Sequence, residues 1–356
     1  MEIIKEMKKY YANIWVLANP IIFYRMLKGF FRALVLRKNT LRVIELFPTF
    51  ACQANCHFCS VDKYQADKKA VLTIDDYDRL ARDGAKAGAA VVTILGGEPL
   101  MYPHLDELVA VFTKHHYYTH VVSNGLAVTT ERLAELKKSG LKCIFFSIES
   151  LDPKVNDPIR GEGHVELTLR NLRWAQEIGL ATGLGTVMMP GAMEHALGVI
   201  EYCEQNGLSA SGGQIAPVGK AEDFSTLSSS EFEDVRQYLK KYPKLTFDWV
   251  FSYYLKQRCP AGKEKIGVTC FGDVVGCSYN PVSFGNYFEE PLGAILERMR
   301  SFSQFKKDFP GCLSSEDPEY IGNYLGPVCE ATKHPVSYKD HPAITPENEP
   351  EVFGRR

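Results

Sequence analysis

The sequence predicts an α/β fold: a partial (β/α)6 TIM-like barrel, preceded by an N-terminal amphipathic helical segment and followed by a small C-terminal module. From residue 41 to about residue 220, short runs rich in β-branched and aromatic residues alternate with charged helical stretches, as expected for repeated βα units. The alternation fades near Phe224, where a cysteine-containing segment begins. A doubly wound sheet shows the same alternation, so periodicity alone leaves both architectures open.

The charge of the chain is nearly balanced, with a formal net charge of −2 and a pI near 6.5. No global positive field therefore favours nucleic acid as a partner. The ten cysteines fall into groups: a trio at positions 52–59, singles at 143 and 203, and five from position 259 onward. This grouping favours metal binding in a reducing compartment over a disulfide framework, so we expect a cytoplasmic protein.

Residues 1–40 form the predicted N-terminal segment, which is both basic and apolar. Residues 1–42 hold nine Lys and Arg against two Glu, and an apolar run lies between positions 14 and 36. Asn19-Pro20 and three cations interrupt this run, whereas a membrane-spanning helix needs about 20 uninterrupted apolar residues. No signal-peptide cleavage pattern follows it. The three cations (Arg25, Lys28 and Arg32) share one helix face, and two placements stay open: in a membrane interface, or against the barrel bottom.

The predicted barrel covers residues 41–222. Its six candidate strands are residues 41–47, 90–95, 118–122, 143–148, 182–188 and 210–216, with helical stretches such as 130–139 and 167–178 between them. Residues 223–333 form the predicted C-terminal module, which opens with an acidic helix at 229–241 and contains a hairpin around Phe271-Gly272-Asp273. The tail, residues 334–356, is polar and turn-rich, and we expect it to be extended or poorly ordered.

Three cysteines directly after the first strand carry the strongest chemical signal. Cys52, Cys56 and Cys59 form a C-x3-C-x2-C run. Three thiolates this close can bind three irons of a four-iron cluster and leave the fourth iron open to a small molecule. A structural zinc is the alternative, but it requires a fourth ligand and only His57 is near, at a poor spacing.

With the aromatic Phe58 before its last cysteine, this run resembles the signature of the radical S-adenosylmethionine (SAM) enzymes. Gly96-Gly97-Glu98-Pro99, at the end of the second strand, resembles the GGEP motif of the same family. The resemblance implies that the open iron binds the amino and carboxylate groups of SAM, whose cleavage yields a 5′-deoxyadenosyl radical. It also implies that the glycine backbone and the Glu98 carboxylate hold the amino group of SAM, which suits a close backbone approach and an opposite charge.

Further segments match the family in order along the chain. Ser123 and Asn124 close the third strand, Ser147 and Glu149 close the fourth, and the resemblance places them around SAM. Arg160 resembles the arginine that meets the SAM carboxylate, a contact that suits a planar guanidinium. Each segment alone also fits a loop cap or a surface pair. Residues 214–217 are a further candidate for the adenine contact.

The C-terminal module resembles the twitch or SPASM modules that bind auxiliary clusters. Cys259, then Gly272, then Cys277 match the opening of that pattern, and the resemblance implies that Cys312 and Cys329 complete four ligands. The later C-x2-C and C-x5-C groups are missing, so one auxiliary 4Fe-4S cluster is expected rather than two. The alternative is a set of buried core cysteines. Three further thiols have no assigned ligand role: Cys270, Cys143 and Cys203.

These features predict a radical SAM enzyme that abstracts hydrogen from an unactivated C–H bond of a small molecule or, if the N-terminal helix is interfacial, of a lipid or membrane-associated substrate. A peptide-modifying maturase is the alternative within enzymes, and an iron–sulfur electron carrier or redox sensor is the alternative of another class. The resemblance implies a reducing partner such as flavodoxin or ferredoxin. It identifies no catalytic side chain, and fold-level likeness does not name the substrate.

Overall fold

The computed structural model describes residues 19–64 and 70–354. The predicted N-terminal segment is therefore seen only from residue 19, and its first 18 residues, with Lys5, Lys8 and Lys9, lie outside the described part. The predicted helix at residues 229–241 is confirmed with the same bounds.

The barrel region alternates strands and helices in chain order. Its elements are α1 (Pro20–Leu34), β1 (Val43–Phe47), α2 (Ile74–Ala87), β2 (Val91–Ile94), α3 (Leu105–Lys114), β3 (Tyr118–Ser123), α4 (Thr130–Lys138), β4 (Cys143–Ser147), α5 (Pro153–Arg160), α6 (His164–Glu177), β5 (Ala181–Met188), α7 (Met193–Gln205), β6 (Ser209–Gln214), α8 (Ser229–Lys241) and β7 (Leu245–Thr246). Two short 3-10 turns, Pro99–Met101 and Gly219–Ala221, lie in this region.

The C-terminal part contributes short elements to the same sheet. They are β8 (Lys265–Thr269), β9 (Asp273–Val275), β10 (Val282–Asn286), α9 (Leu292–Ser301), α10 (Ser303–Lys306), α11 (Leu313–Glu316), α12 (Pro318–Tyr320), a π-helical turn at Ile321–Leu325, α13 (Gly326–Cys329), β11 (Val336–Ser337), a 3-10 turn at Tyr338–Asp340 and α14 (Glu349–Val352). Strands β8 and β9 pair antiparallel, which confirms the hairpin around Gly272.

Strands β1 to β6 pair in parallel and in chain order, which confirms the predicted parallel α/β sheet. Across the described residues, the sheet runs β11-β10-β9-β8-β1-β2-β3-β4-β5-β6-β7. The structure adds two parallel strands to the predicted six, because β7 extends the sheet beside β6 and β8 pairs with β1. The second pairing joins residues more than 200 positions apart, so no local sequence pattern predicts it.

Local sequence signals explain where the helices begin and end. Helix α2 starts at a capping box in which Thr73 and Asp76 each bind the other's backbone N–H, and it ends at Gly88, whose φ of 106° suits glycine. Helix α8 starts at the same kind of box, made by Ser228 and Glu231. The apolar faces of these helices bury large side chains such as Tyr77 against the sheet.

Helix α1 packs against the amino ends of the central strands, at the barrel bottom. Ile22 contacts Ala90 and Tyr118, which lie at the starts of β2 and β3. Arg25 donates to three backbone carbonyls, and the ring of Tyr253 occupies the space that a side chain at Gly29 would need. Packing against the barrel bottom, one of the two predicted placements, is therefore what the structure shows. No described helix is long and apolar enough to cross a membrane.

The C-terminal tail differs from the expectation of an extended or poorly ordered segment. Val352 and Phe353 are buried, and the ring of Phe353 lies 5.7 Å from that of Phe302 and 5.4 Å from that of Tyr338. The side chain of His341 is buried, and its Nε2 donates to the Tyr324 carbonyl at 2.9 Å. A few aromatic anchors are thus enough to order a segment whose composition is mostly polar.

Candidate active site

The segments with the family motifs converge at the carboxyl ends of the parallel strands. The loop that carries Cys52, Cys56 and Cys59, called the cysteine loop below, follows β1. Gly96-Gly97-Glu98-Pro99 follows β2, Ser123-Asn124 ends β3 and Ser147 ends β4. Loops at this edge of a barrel are where active sites are built, because each strand presents a different side chain to one mouth. The structure therefore brings together residues that the sequence spreads over nearly 100 positions.

The three cysteines of the first loop are free thiols of graded exposure. Cys52 is exposed, Cys59 is half-buried and Cys56 is buried. Partial removal from water by the surrounding loops raises the pKa of the Cys52 and Cys59 thiols. Two side chains from other segments donate toward this trio: Asn124 Nδ2, in the loop after β3, lies 3.4 Å from Cys52 Sγ, and Arg160 Nη1, at the end of α5, lies 3.4 Å from Cys56 Sγ. Three sulfurs on one loop, with donors aimed at two of them, are a donor set that suits an iron–sulfur cluster.

The two glycines of the second motif allow the β2 loop to lie directly on the cysteine loop. Gly97 N donates to Thr49 O at 2.9 Å, and Glu98 N donates to Ala51 O at 2.8 Å. A Cβ atom at Gly97 would lie 2.3 Å from Ala51 O, which no side chain tolerates without a backbone shift. Gly219 has the same role on the other side of the loop, since its Cβ would lie 2.2 Å from Cys59 O.

The Glu98 carboxylate is fully buried and joins the ends of β2 and β3. It accepts from Leu100 N at 3.0 Å, from Ser123 Oγ at 2.8 Å and from Asn124 N at 2.7 Å. Burial raises the pKa of Glu98, and these hydrogen bonds oppose the rise. Through this carboxylate the loop that holds Asn124 is fixed beside Cys52. Contact between Glu98 and the amino group of SAM stays a prediction.

Glu149 and Arg160 form a buried ion pair beside the cysteine loop. Glu149 Oε1 accepts from Arg160 Nε at 3.2 Å and also from Nη2, while Glu149 Oε2 accepts from Val187 N at 2.7 Å. Burial acts to lower the pKa of Arg160, but the Glu149 carboxylate and the Cys56 thiol raise it, and the net shift is upward. The guanidinium also lies 5.3 Å from the centre of the Phe58 ring. A permanent positive charge is therefore held against the cysteine loop.

His164 and Asn156 belong to the same network, although neither was predicted from the sequence. His164 is fully buried, and its Nε2 lies 2.8 Å from the Asn124 carbonyl, which can only accept, so Nε2 carries the proton. Its Nδ1 then accepts from Asn156 Nδ2 at 3.1 Å, while Asn156 Oδ1 accepts from Glu149 N at 2.9 Å. No sequence motif marks this chain of hydrogen bonds, because its members meet only when α5 and α6 fold over β3 and β4.

A cavity of about 610 Å³ lies inside the barrel, below this site. Ser147 and Arg160 line it near the cysteine loop, and Met26 of α1 lines it at the barrel bottom. A set of polar side chains that the sequence analysis did not single out lines its middle: Glu45, Thr93, His120, Asp248 and Lys265. The cavity is a candidate substrate site because polar groups converge there within largely apolar walls.

The polar set inside the cavity centres on a buried lysine between two carboxylates. Lys265 Nζ lies 2.6 Å from Glu45 Oε1 and also binds Asp248. Burial acts to lower the pKa of Lys265, but the two carboxylates outweigh it and the net shift is upward. His120 lies 2.8 Å from Thr93 Oγ1, and burial lowers its pKa to about 4, so this imidazole is neutral near pH 7.

The C-terminal cysteines separate into two positions. Cys259, Cys277 and Cys312 all line the central cavity. Cys329 does not line it, and its thiol donates to Pro217 O at 3.2 Å. Cys270 is buried in the hairpin that follows β8.

Across residues 19–64 and 70–354, no three His, Cys, Asp or Glu side chains converge closely enough to hold a single metal ion. Ligation of an auxiliary cluster by these cysteines stays a prediction.

Two family models match the chain. Residues 46–203 match the radical SAM superfamily, a stretch that contains the first cysteine trio, the glycine motif and Arg160. Residues 259–316 match SPASM, an iron–sulfur cluster-binding domain, a stretch that contains Cys259, Cys277 and Cys312 and ends before Cys329.

Curated relatives align over most of the chain. The AdoMet-dependent heme synthase of Nitratidesulfovibrio vulgaris is 23% identical over an aligned length of 299 residues, and the alignment covers 75% of this chain and 82% of the relative. The AdoMet-dependent heme synthase of Methanosarcina barkeri is 23% identical over an aligned length of 325 residues, and the alignment covers 83% of this chain and 90% of the relative.

Solved structures share the fold at low identity. Streptococcus suis SuiB bound to S-adenosylmethionine aligns with a TM-score of 0.60 and 19% identity, over 83% of this chain and 70% of that one. SuiB bound to its precursor peptide SuiA aligns with a TM-score of 0.58 and 18% identity, over 80% of this chain and 66% of that one, just under two thirds of its length. Native anSMEcpe with bound AdoMet aligns with a TM-score of 0.53 and 12% identity, over 72% and 80% of the two chains.

Proposed function

Because this chain belongs to the radical SAM superfamily of enzymes and carries a C-terminal SPASM domain, we propose that it cleaves SAM to a 5′-deoxyadenosyl radical and abstracts hydrogen from an unactivated C–H bond. Cys52, Cys56 and Cys59 would hold a 4Fe-4S cluster, which would supply the electron for that cleavage. The observation that carries the proposal is the meeting of the cysteine loop, the glycine motif and the Glu149–Arg160 pair above one cavity.

Each residue of the site has a distinct part in this proposal. Cys52, Cys56 and Cys59 hold the cluster, with Cys56 fixed deepest in the fold. Asn124 and Arg160 donate toward the sulfurs, which stabilises negative charge there. The proposed SAM contacts lie at or after the carboxyl ends of β2, β3 and β4: Gly96, Gly97, Glu98, Pro99, Ser123, Asn124, Ser147, Glu149 and Arg160. In the C-terminal part, the auxiliary cluster is proposed to be held by Cys259, Cys277 and Cys312, with Cys329 as the candidate fourth ligand.

Three substrate classes follow from separate observations. A peptide is one, because the SuiB structure that this chain resembles contains a precursor peptide. A tetrapyrrole is another, because relatives named as heme synthases align over most of both chains. A lipid or other membrane-associated substrate is the third, and only the exposed apolar face of α1 favours it. Flavodoxin or ferredoxin is the proposed electron donor for all three.

The test is an iron and sulfide determination on anaerobically reconstituted protein, combined with a dithionite-driven assay for 5′-deoxyadenosine. We expect about eight irons in wild type, about four when Cys52, Cys56 and Cys59 are all replaced by alanine, and SAM cleavage in wild type alone. The matched control replaces Cys203, a buried thiol on α7 that does not line the cavity, and is expected to keep the iron. Full iron loading of wild type without SAM cleavage would instead support the electron-carrier alternative.

A further inference from the structure

The outward side of α1 and the residues just after it concentrate the exposed apolar surface of the described chain. Twelve large apolar side chains are exposed in the described part, and eight of them lie between positions 21 and 36. Phe31 is 54% exposed and Leu27 is 55% exposed. We call this set the α1 face: Ile21, Phe23, Tyr24, Leu27, Phe31, Leu34, Val35 and Leu36. Contiguous apolar surface of this kind marks an interaction site on a soluble fold.

The orientation of the α1 face is set by the packing of the opposite side of the helix. Ile22, Gly29 and Ala33 are buried against the barrel bottom. Arg25 anchors the helix through hydrogen bonds to the carbonyls of Ala89, His115 and His116. The helix cannot rotate to bury its outward side without breaking these contacts. A helix that is apolar on nearly all sides, yet packed on only one, leaves the other side for a partner.

The positive charge around the α1 face indicates what kind of partner docks on it. From residue 7 to residue 44 the sequence has no Asp or Glu, and it holds eight Lys and Arg. Lys28, Arg37 and Lys38 are exposed beside the α1 face. We propose that the α1 face docks on the surface of an anionic lipid bilayer, with its aromatic and aliphatic side chains among the headgroups and these cations against the lipid phosphates.

Two alternative occupants of the α1 face, a second copy of the chain and the chain's own first 18 residues, fit its positive surroundings less well than an anionic bilayer does. A second copy of the chain, docked face to face by a two-fold axis, would bring Lys28, Arg37 and Lys38 of both copies together. The chain's own first 18 residues offer no excess negative charge, since they hold three lysines against two glutamates.

The length of α1 also suits a helix that lies in the membrane interface rather than one that crosses the bilayer. With 15 residues, α1 is about 22 Å long.

The docked orientation agrees with the position of the candidate active site. Helix α1 lies at the amino ends of β2 and β3, whereas the cysteine loop follows the carboxyl end of β1. A bilayer below α1 would therefore leave the cysteine loop facing away from the membrane, open to an electron-donor protein. The inner side of the same helix reaches the central cavity through Met26.

The test is co-sedimentation of the full chain with vesicles of phosphatidylglycerol and phosphatidylcholine, beside vesicles of phosphatidylcholine alone. We expect wild type to sediment with the anionic vesicles and Phe31→Glu to stay in solution. Phe288→Glu is the matched control, because Phe288 is 42% exposed but lies outside the α1 face. Replacing Lys28, Arg37 and Lys38 together by glutamine should weaken binding roughly 100-fold, at about fivefold per charge. Circular dichroism and thermal unfolding show that each variant is folded, independently of any activity.

Wild type that stays in solution with anionic vesicles overturns the proposal, as does equal loss of binding in Phe31→Glu and Phe288→Glu. If wild type stays in solution, analytical ultracentrifugation then shows which other occupant covers the α1 face. A wild-type dimer that Phe31→Glu dissociates indicates a second copy, and a monomer indicates the first 18 residues. Because the readout is binding and not SAM cleavage, the docking proposal and the proposed function can fail independently.

Discussion

Replacing Glu149 by glutamine tests the buried ion pair on which the site depends. The side chain of Glu149 is 1% exposed and that of Arg160 is 10% exposed, so the guanidinium has little access to water when its partner is neutral. Removing one partner of a buried pair costs about 3–5 kcal/mol of unfolding free energy. Glutamine keeps the shape and one acceptor oxygen, so we expect the lower end, about 3 kcal/mol.

Thermal unfolding measures this cost. An unfolding entropy of about 2.1 cal/mol/K per residue gives about 750 cal/mol/K for the whole chain, so 3 kcal/mol lowers Tm by about 4 °C if the chain unfolds as one unit. The control is Glu135→Gln, since Glu135 is 63% exposed and pairs with Arg132 at 3.3 Å on the surface of α4. That change should cost no more than about 0.5 kcal/mol, well under 1 °C.

A second readout separates the electrostatic role from general destabilisation. With its partner neutral, the positive charge of Arg160 beside Cys56 is no longer compensated, so the midpoint potential of the reconstituted first cluster should become more positive. Redox titration followed by EPR measures this potential. Equal Tm values for Glu149→Gln and Glu135→Gln, with an unchanged potential, would refute the role assigned to the pair.

Three further predictions follow from single contacts. Gly97→Ala should lower the iron content of the reconstituted protein, because its Cβ would lie 2.3 Å from a backbone oxygen of the cysteine loop, whereas Gly198→Ala, with nothing within 4 Å, should not. Cys312→Ser should remove about half of the iron, because it takes a ligand from the auxiliary cluster, whereas Cys203→Ser, which changes a buried thiol outside the cavity, should retain it. His120→Gln should flatten the acid dependence of Tm between pH 6.5 and pH 4, since the imidazole of His120, which lines the cavity, has a pKa of about 4.

The sign of the third prediction follows from proton linkage. Between pH 6.5 and pH 4 the unfolded chain binds a proton at His120 that the folded chain does not, so the folded state loses stability as the pH falls through this window. The full loss is about 3 kcal/mol and is complete below pH 4. An identical slope of Tm against pH in His120→Gln and wild type would contradict it. An unchanged iron content in Gly97→Ala would contradict the first of the three predictions. Equal iron contents in the two cysteine variants would contradict the second.

Local chemistry made much of this protein predictable from its sequence alone. The alternation of apolar and charged runs predicted β1 to β6 within a few residues, because strand and helix periodicity are local properties. The spacing of Cys52, Cys56 and Cys59 predicted a cluster site, because three ligands on one loop need no distant partner. The glycine motif after β2 was equally visible, since close backbone contact requires glycine wherever it occurs.

Only the tertiary structure decided which side chains meet. The pairing of β8 with β1, the network from Cys52 through Asn124 and His164, and the position of Lys265 between two carboxylates join residues distant in sequence. No local pattern encodes such contacts, because they depend on how each element packs against the sheet. Sequence showed that the N-terminal segment was basic and apolar. Packing alone determined which side of α1 is buried and which is left exposed.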